Sequence, residues 1–169
     1  MADPVSAAAS EPGWLRPALI TAALVEAVAS LSGLTLFSDL SGFGNSPGQW
    51  MIFTDVALKP LLALTALVFA IRRDWRHAVI ALAALPLATM LLDSLPSLLT
   101  EGVQGFGEGL FRVYLLERSF LLPLACAWAA WLAWNGKRLA LAALIVIIPT
   151  VLDVVEVAVF TIGIAIYGF

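Results

Sequence analysis

Apolar runs close to 20 residues long recur along this chain, separated by short polar turns, and they leave little else for it to fold with. A helix rises ~1.5 Å per residue, so about 20 apolar residues cross the ~30 Å of hydrocarbon in a bilayer. Five such runs predict an all-α, polytopic integral membrane bundle of about five transmembrane helices. Composition points the same way: 62% of the 169 residues are hydrophobic and 12% are charged, where a soluble domain carries about twice that charge. The spans and their connections consume nearly the whole chain, so function is expected inside the bundle or at its rims.

Residues 1–16 are small, polar and proline-containing, and read as a mobile cytoplasmic tail ending in an interfacial anchor, Trp14 and Arg16. The rest, 17–169, reads as one transmembrane domain. Its first helix runs from about Pro17 to Phe37 and is taken as retained: Ala27-Val28-Ala29 resembles a signal-peptidase site, but Glu26 interrupts the apolar region before it. Turn formers in SDLSGFGNSPGQ end it, and the second helix spans about Met51 to Ile71. RRDWRH makes a tight connection to a third helix over about Ala78 to Leu99. A glycine-rich loop precedes the fourth, about Leu110 to Trp134. Asn135-Gly136-Lys137-Arg138 turns into the fifth, which starts near Leu139 and is expected to tilt or bend at Pro149.

Arg16, Arg72, Arg73, Arg76, Lys137 and Arg138 fall on one side of this alternation, and Arg112 stands alone among the opposite loops. The positive-inside rule then puts the N-terminus in the cytoplasm and the C-terminus outside. Trp75 and Trp134 are expected at the inner interface and Trp50 at the outer one. The expected location is a membrane, multi-pass, of the bacterial inner-membrane type.

Helices 2 and 3 resemble helices 4 and 5 in order of features. Each pair opens with an acid (Asp55, Glu117), then a proline (Pro60, Pro123), then a polar turn. Each continues with Ala-Leu-Ala-Ala-Leu, a second proline (Pro86, Pro149) and a Leu-Asp pair ending at Asp93 or Asp153. Two helices per unit preserve orientation, which predicts a parallel two-helix repeat about the membrane normal.

Glu26, Asp55, Asp93, Glu117, Asp153 and Glu156 all fall within the spans, with Lys59 and Arg118 as the accompanying cations. Each charge costs roughly 2.5–3.5 kcal/mol at the bilayer centre on insertion scales, so these groups are expected to face inward and meet one another. Asp55 and Lys59 stand i,i+4, Asp153 and Glu156 i,i+3, and Tyr114 lies one turn before Glu117 and Arg118. Thr89, Asp93 and Ser97 make a polar stripe, and Glu26 shares a face with Ser30 and Gly33. The plainest use of such charges is structural, with Lys59 neutralising Asp55 or Asp93 and Arg118 clamping Glu117 or Asp153. Acids outnumber cations, however, so some must hold a proton or meet an external cation.

That surplus makes the six acids the candidate catalytic groups, with Asp93 and Asp153 the best-placed pair. Lys59, Arg118, Tyr114, Trp128 and Trp131 are candidate substrate contacts; the two tryptophans offer a wall for stacking, beside their ordinary role in packing. No phosphate-binding glycine motif, histidine metal cluster or nucleophile elbow occurs, so no metal or cofactor is expected. His77 reads as a snorkelling interfacial residue and Cys126 as a small packing residue. The leading expectation is an enzyme of isomerase or cyclase type, working by acid/base chemistry on a lipophilic substrate. A proton- or cation-coupled transporter or channel, or a non-catalytic subunit, are the alternatives. Expected partners are membrane lipids and a lipophilic small molecule, with a homo-oligomer allowed; a net charge of -3 without basic runs speaks against nucleic acid. In general chemistry alone, without a shared motif, the parts resemble small sterol-isomerase-like and terpene-cyclase-like membrane proteins.

Overall fold

The computed structural model describes residues 12–33 and 47–168. The tail over 1–11, the expected extension of the first helix to Phe37 and the turn-rich stretch over 34–46 lie outside the described residues. Among those described, every regular element is helical. Helix α1 is Leu15–Gly33 and α2 is Pro47–Ile71. Helix α3 comprises Trp75–Thr89, a π-helical turn Met90–Ser94 and Leu95–Glu101. A short 3-10 turn, Gly102–Phe106, leads to α4, made of Gly109–Leu116, a second π-helical turn Glu117–Leu121 and Leu122–Trp134. Helix α5, Leu139–Tyr167, continues through Pro149. Five helical spans among the described residues are long and apolar enough to cross a membrane. This is the architecture of a multi-pass membrane protein.

Consecutive helices pack side by side, and α1 closes the ring by touching both α2 and α5; α3 also reaches α1 and α5. The buried core occupies one half of the bundle, the half next to the α2–α3 and α4–α5 turns. It is built largely from alanine: Ala22 and Ala23 of α1, Ala63, Ala66 and Ala70 of α2, Ala78 and Ala83 of α3, Ala129 and Ala133 of α4, Ala142 and Ala143 of α5. Without a hydrophobic drive between helices in lipid, association depends on close van der Waals contact, which small residues three or four apart permit. Leu15, Leu19, Val79, Leu82 and Cys126 fill the space between these alanine contacts. Trp75, expected at the inner interface, stands at the very start of α3 with its indole turned inward and buried in this core. RRDWRH is thus only half connection: Asp74 caps α3, its carboxylate accepting from the His77 amide at 3.5 Å and lying 2.7 Å from the His77 ring. The hydrogen bond with the His77 side chain holds the Asp74 carboxyl below its ordinary value.

The two hairpin turns close alike. Asp74 donates its amide to the Phe69 carbonyl and Lys137 to the Leu132 carbonyl, both at 2.9 Å. Arg73 and Gly136 hold the left-handed positions that such closures require, with φ of 63° and 65°. The shift that carries Arg73 onto Gly136 also carries Pro60 onto Pro123 and Pro86 onto Pro149. It places the buried Ala63, Ala66 and Ala70 on the buried Cys126, Ala129 and Ala133. This register corrects the pairing expected for the acids: Asp55 corresponds to Arg118, and Asp93 to Glu156 rather than Asp153. The Ala-Leu-Ala-Ala-Leu match belongs to another offset and reflects shared composition.

Arg73 lacks the freedom of glycine at a positive φ, where a side chain costs about 1–2 kcal/mol. Arg73→Gly is accordingly expected to stabilise the protein by about 1 kcal/mol, measured as a higher melting temperature in lipid nanodiscs. An unchanged or lower melting temperature would show that the turn carries no such strain.

Candidate functional site

Above the alanine core the bundle opens around a cavity of about 450 Å³, to which all five helices contribute. Two features of α3 and α4 shape it. Both π-helical turns precede a proline by the same interval, Met90–Ser94 before Pro96 and Glu117–Leu121 before Pro123. Proline brings no N–H to the helix ladder, and a wide turn relieves the mismatch by shifting donors one carbonyl back. The Leu95 amide accordingly bonds the Met90 carbonyl, and the Leu122 amide that of Glu117. The extra residue in each turn alters the phase of the helix and presents Asp93 and Ser94 from α3, and Arg118 and Ser119 from α4, to the cavity.

Three groups of polar side chains surround the space. Between α2 and α3, Lys59 pairs with Asp55 at 2.6 Å, and the Thr89 hydroxyl donates to the other Asp55 oxygen at 3.3 Å. Lys59 and Thr89 line the cavity, while Asp55 is buried behind them. Between α4 and α5, Arg118 bonds both Asp153 and Glu156; Tyr114 also donates to Glu156 and accepts from Arg118. Arg118 and Asp153 face the cavity, whereas Glu156 and Tyr114 lie just beyond its wall. Between α1 and α5, the Thr150 hydroxyl donates to Glu26 at 2.7 Å.

Two of the acids lining the cavity, Glu26 and Asp93, form no ion pair among the described residues. Glu26 has Thr150 as its hydrogen-bond partner, and Asp93 has neither a hydrogen bond nor an ion pair among the described residues. The remaining wall is mainly apolar, including Val56, Leu85, Met90, Leu115 and Leu122. Apolar walls with a few convergent polar groups are the ordinary make-up of a small-molecule site, and the volume lies within the usual ~300–1,000 Å³.

The structure therefore gathers Glu26, Lys59, Asp93, Arg118 and Asp153 around one space, with Asp55 and Glu156 holding the two cations from behind. Glu117 does not join them. It is exposed and off the cavity wall, since its neighbour Arg118 is the residue turned inward. Trp128 and Trp131 are exposed as well, 49% and 55%, because Cys126, Ala129, Leu132 and Ala133 form the packed face of α4. Neither tryptophan lines the cavity. Sequence reasoning missed Ser94, Ser119 and Thr150; their available signal was adjacency to an acid, a cation and a proline, respectively. Among the described residues, no group of three or more His, Cys, Asp or Glu side chains is placed to hold a metal ion.

Fold and site together define a multi-pass helical bundle with a mainly apolar cavity, carrying a few charged side chains, in one half. No protein-family model matches the chain, and no curated protein or solved structure is significantly similar to it.

Proposed function

We propose that this chain is an intramembrane acid/base enzyme, of isomerase or cyclase type, acting on a lipophilic substrate that enters the cavity from the bilayer. The observation that carries this reading is the pairing state of the acids in a mainly apolar cavity: two lining carboxyls form no ion pair, while both cations are paired with other acids. Structural ion pairing accounts for Asp55, Asp153 and Glu156 but leaves Glu26 and Asp93 without that role.

In the proposed step, Asp93 in its acid form gives a proton to one carbon of an alkene, whose π electrons form the new C–H bond. The neighbouring carbon is left cationic. Loss of a different proton to Glu26 in its carboxylate form quenches the cation, either directly or after attack by a second alkene has formed a C–C bond and moved the charge to a new carbon. Passage of that proton from Glu26 back to Asp93 restores the starting state. Thr150 orients Glu26 by donating to it, and the wall of Leu85, Met90, Leu115 and Leu122 keeps water from trapping the cation. Protons are exchanged, and no electron donor or acceptor is needed. The count of basic residues would place the cavity toward the outer face of a bacterial inner membrane.

Intramembrane acids suit a proton- or cation-coupled transporter equally well. The packed alanine core below the cavity weighs against a polar path through the other half. Purified protein in proteoliposomes, supplied with isoprenoid and sterol alkenes in deuterated water, is expected to yield a rearranged product carrying deuterium. Proton or cation flux with no product and no deuterium incorporation would overturn the enzyme reading in favour of transport.

A further inference from the structure

The cavity wall is unbalanced in a way that specifies a ligand. Lys59 is paired with Asp55, and Arg118 with Asp153 and Glu156; Lys59 stands near enough to attract Asp93 and Glu26 across the cavity, but neither acid forms an ion pair of its own among the described residues. A second feature lies beside Asp93 on the same π-helical turn. Ser94 is 6% exposed, forms part of the cavity wall, and has no hydrogen-bond partner among the described residues. A serine inside an α-helix ordinarily bonds the carbonyl four residues back. Here that carbonyl, of Met90, accepts the Leu95 amide across the widened turn. A buried hydroxyl without a partner is costly and marks a place where a group from outside the chain completes the bonding.

We propose that the cavity binds a lipophilic ammonium ion, its protonated nitrogen held by Asp93 and Ser94 and its apolar body against Leu85, Met90, Leu115 and Leu122. This rests on the acid/base reading, of which it names the ligand class: a protonated amine places a fixed positive charge where the reaction would develop a transient one, and groups that stabilise the second also hold the first. A carboxylate attracts a cation far more strongly in an apolar cavity than in water. The N–H of the ammonium donates to Asp93, and the Ser94 hydroxyl turns its oxygen toward the same charge. A neutral hydrocarbon of the same shape satisfies neither group.

The test is equilibrium binding of radiolabelled N,N-dimethyldodecylamine to the full chain in nanodiscs, with empty nanodiscs subtracted. Saturable one-site binding is expected, with the carbon isostere 2-methyltetradecane competing at least tenfold more weakly. Asp93→Asn is expected to weaken binding at least tenfold and Ser94→Ala severalfold, while Asp93→Glu, which keeps the charge, retains most of it. Glu117→Gln, outside the cavity, leaves binding unchanged. A melting curve for each variant establishes that it is folded. Equal competition by the hydrocarbon, or unchanged binding in folded Asp93→Asn, overturns the proposal. Asp93-dependent amine binding without conversion of any alkene upholds this inference while removing the enzyme reading. Conversion by a protein that binds no amine does the reverse.

Discussion

Asp93→Asn is expected to abolish turnover, with product formation falling at least about a hundredfold, the lower end of what one positioned proton-transfer group contributes. Asparagine has the shape of aspartate but no exchangeable acid proton, so it preserves the cavity and removes the chemistry. Little stability should be lost, because the Asp93 side chain makes no hydrogen bond or ion pair among the described residues for the substitution to break. A melting temperature within a few degrees of the parent, together with lost deuterium incorporation, is the expected joint result. Folded Asp93→Asn with full turnover would remove Asp93 from the mechanism and leave Glu26 and Asp153 as the candidates facing the cavity.

Arg118→Met is expected to act in the opposite manner, chiefly on stability. One guanidinium bonds Asp153 and Glu156 and contacts Tyr114, and it ties α4 to α5 where the two helices are otherwise loosely packed. Val154, Val155, Val157, Val159 and Phe160 of α5 are all exposed in this region. Methionine fills similar volume but strands two carboxylates. Breaking a fully buried pair costs about 3–5 kcal/mol; these partners are partly exposed, which lowers the expectation to about 2–3 kcal/mol. Melting curves in nanodiscs measure it, and the triple variant Arg118→Met, Asp153→Asn, Glu156→Gln should recover much of the loss by removing the stranded charges. A single variant as stable as the parent would mean that the α4–α5 contact does not depend on this ion pair.

Hydropathy alone determined that the chain forms a five-helix bundle, because span length is a local property and each apolar run announces itself. Its limits were nearly as legible. Helix α4 was expected from Leu110 and begins at Gly109, and α5 begins at Leu139 as expected. Helix α3 was expected three residues late, since Trp75, Arg76 and His77 look too polar for a span although Asp74 caps the helix ahead of them. The presence of acids in the spans was equally plain, and with it the need for them to face inward.

Only the tertiary structure decided which charges meet. In a helix that is apolar all round, no amphipathic face reveals its rotation, and neighbouring residues point about 100° apart. Glu117 and Arg118 are therefore indistinguishable in sequence, yet one is exposed and the other clasps α5. The tryptophans of α4 fell on the wrong side for the same reason, because the buried face is carried by small residues that hydropathy barely separates from their neighbours. The π-helical turns add an offset that ideal 3.6-residue spacing does not contain, and they bring the unpartnered Ser94 beside Asp93 at the cavity wall. Local free energies set the helices and their ends, whereas helix rotation, ion pairing and the cavity itself arise from packing between segments far apart in the chain.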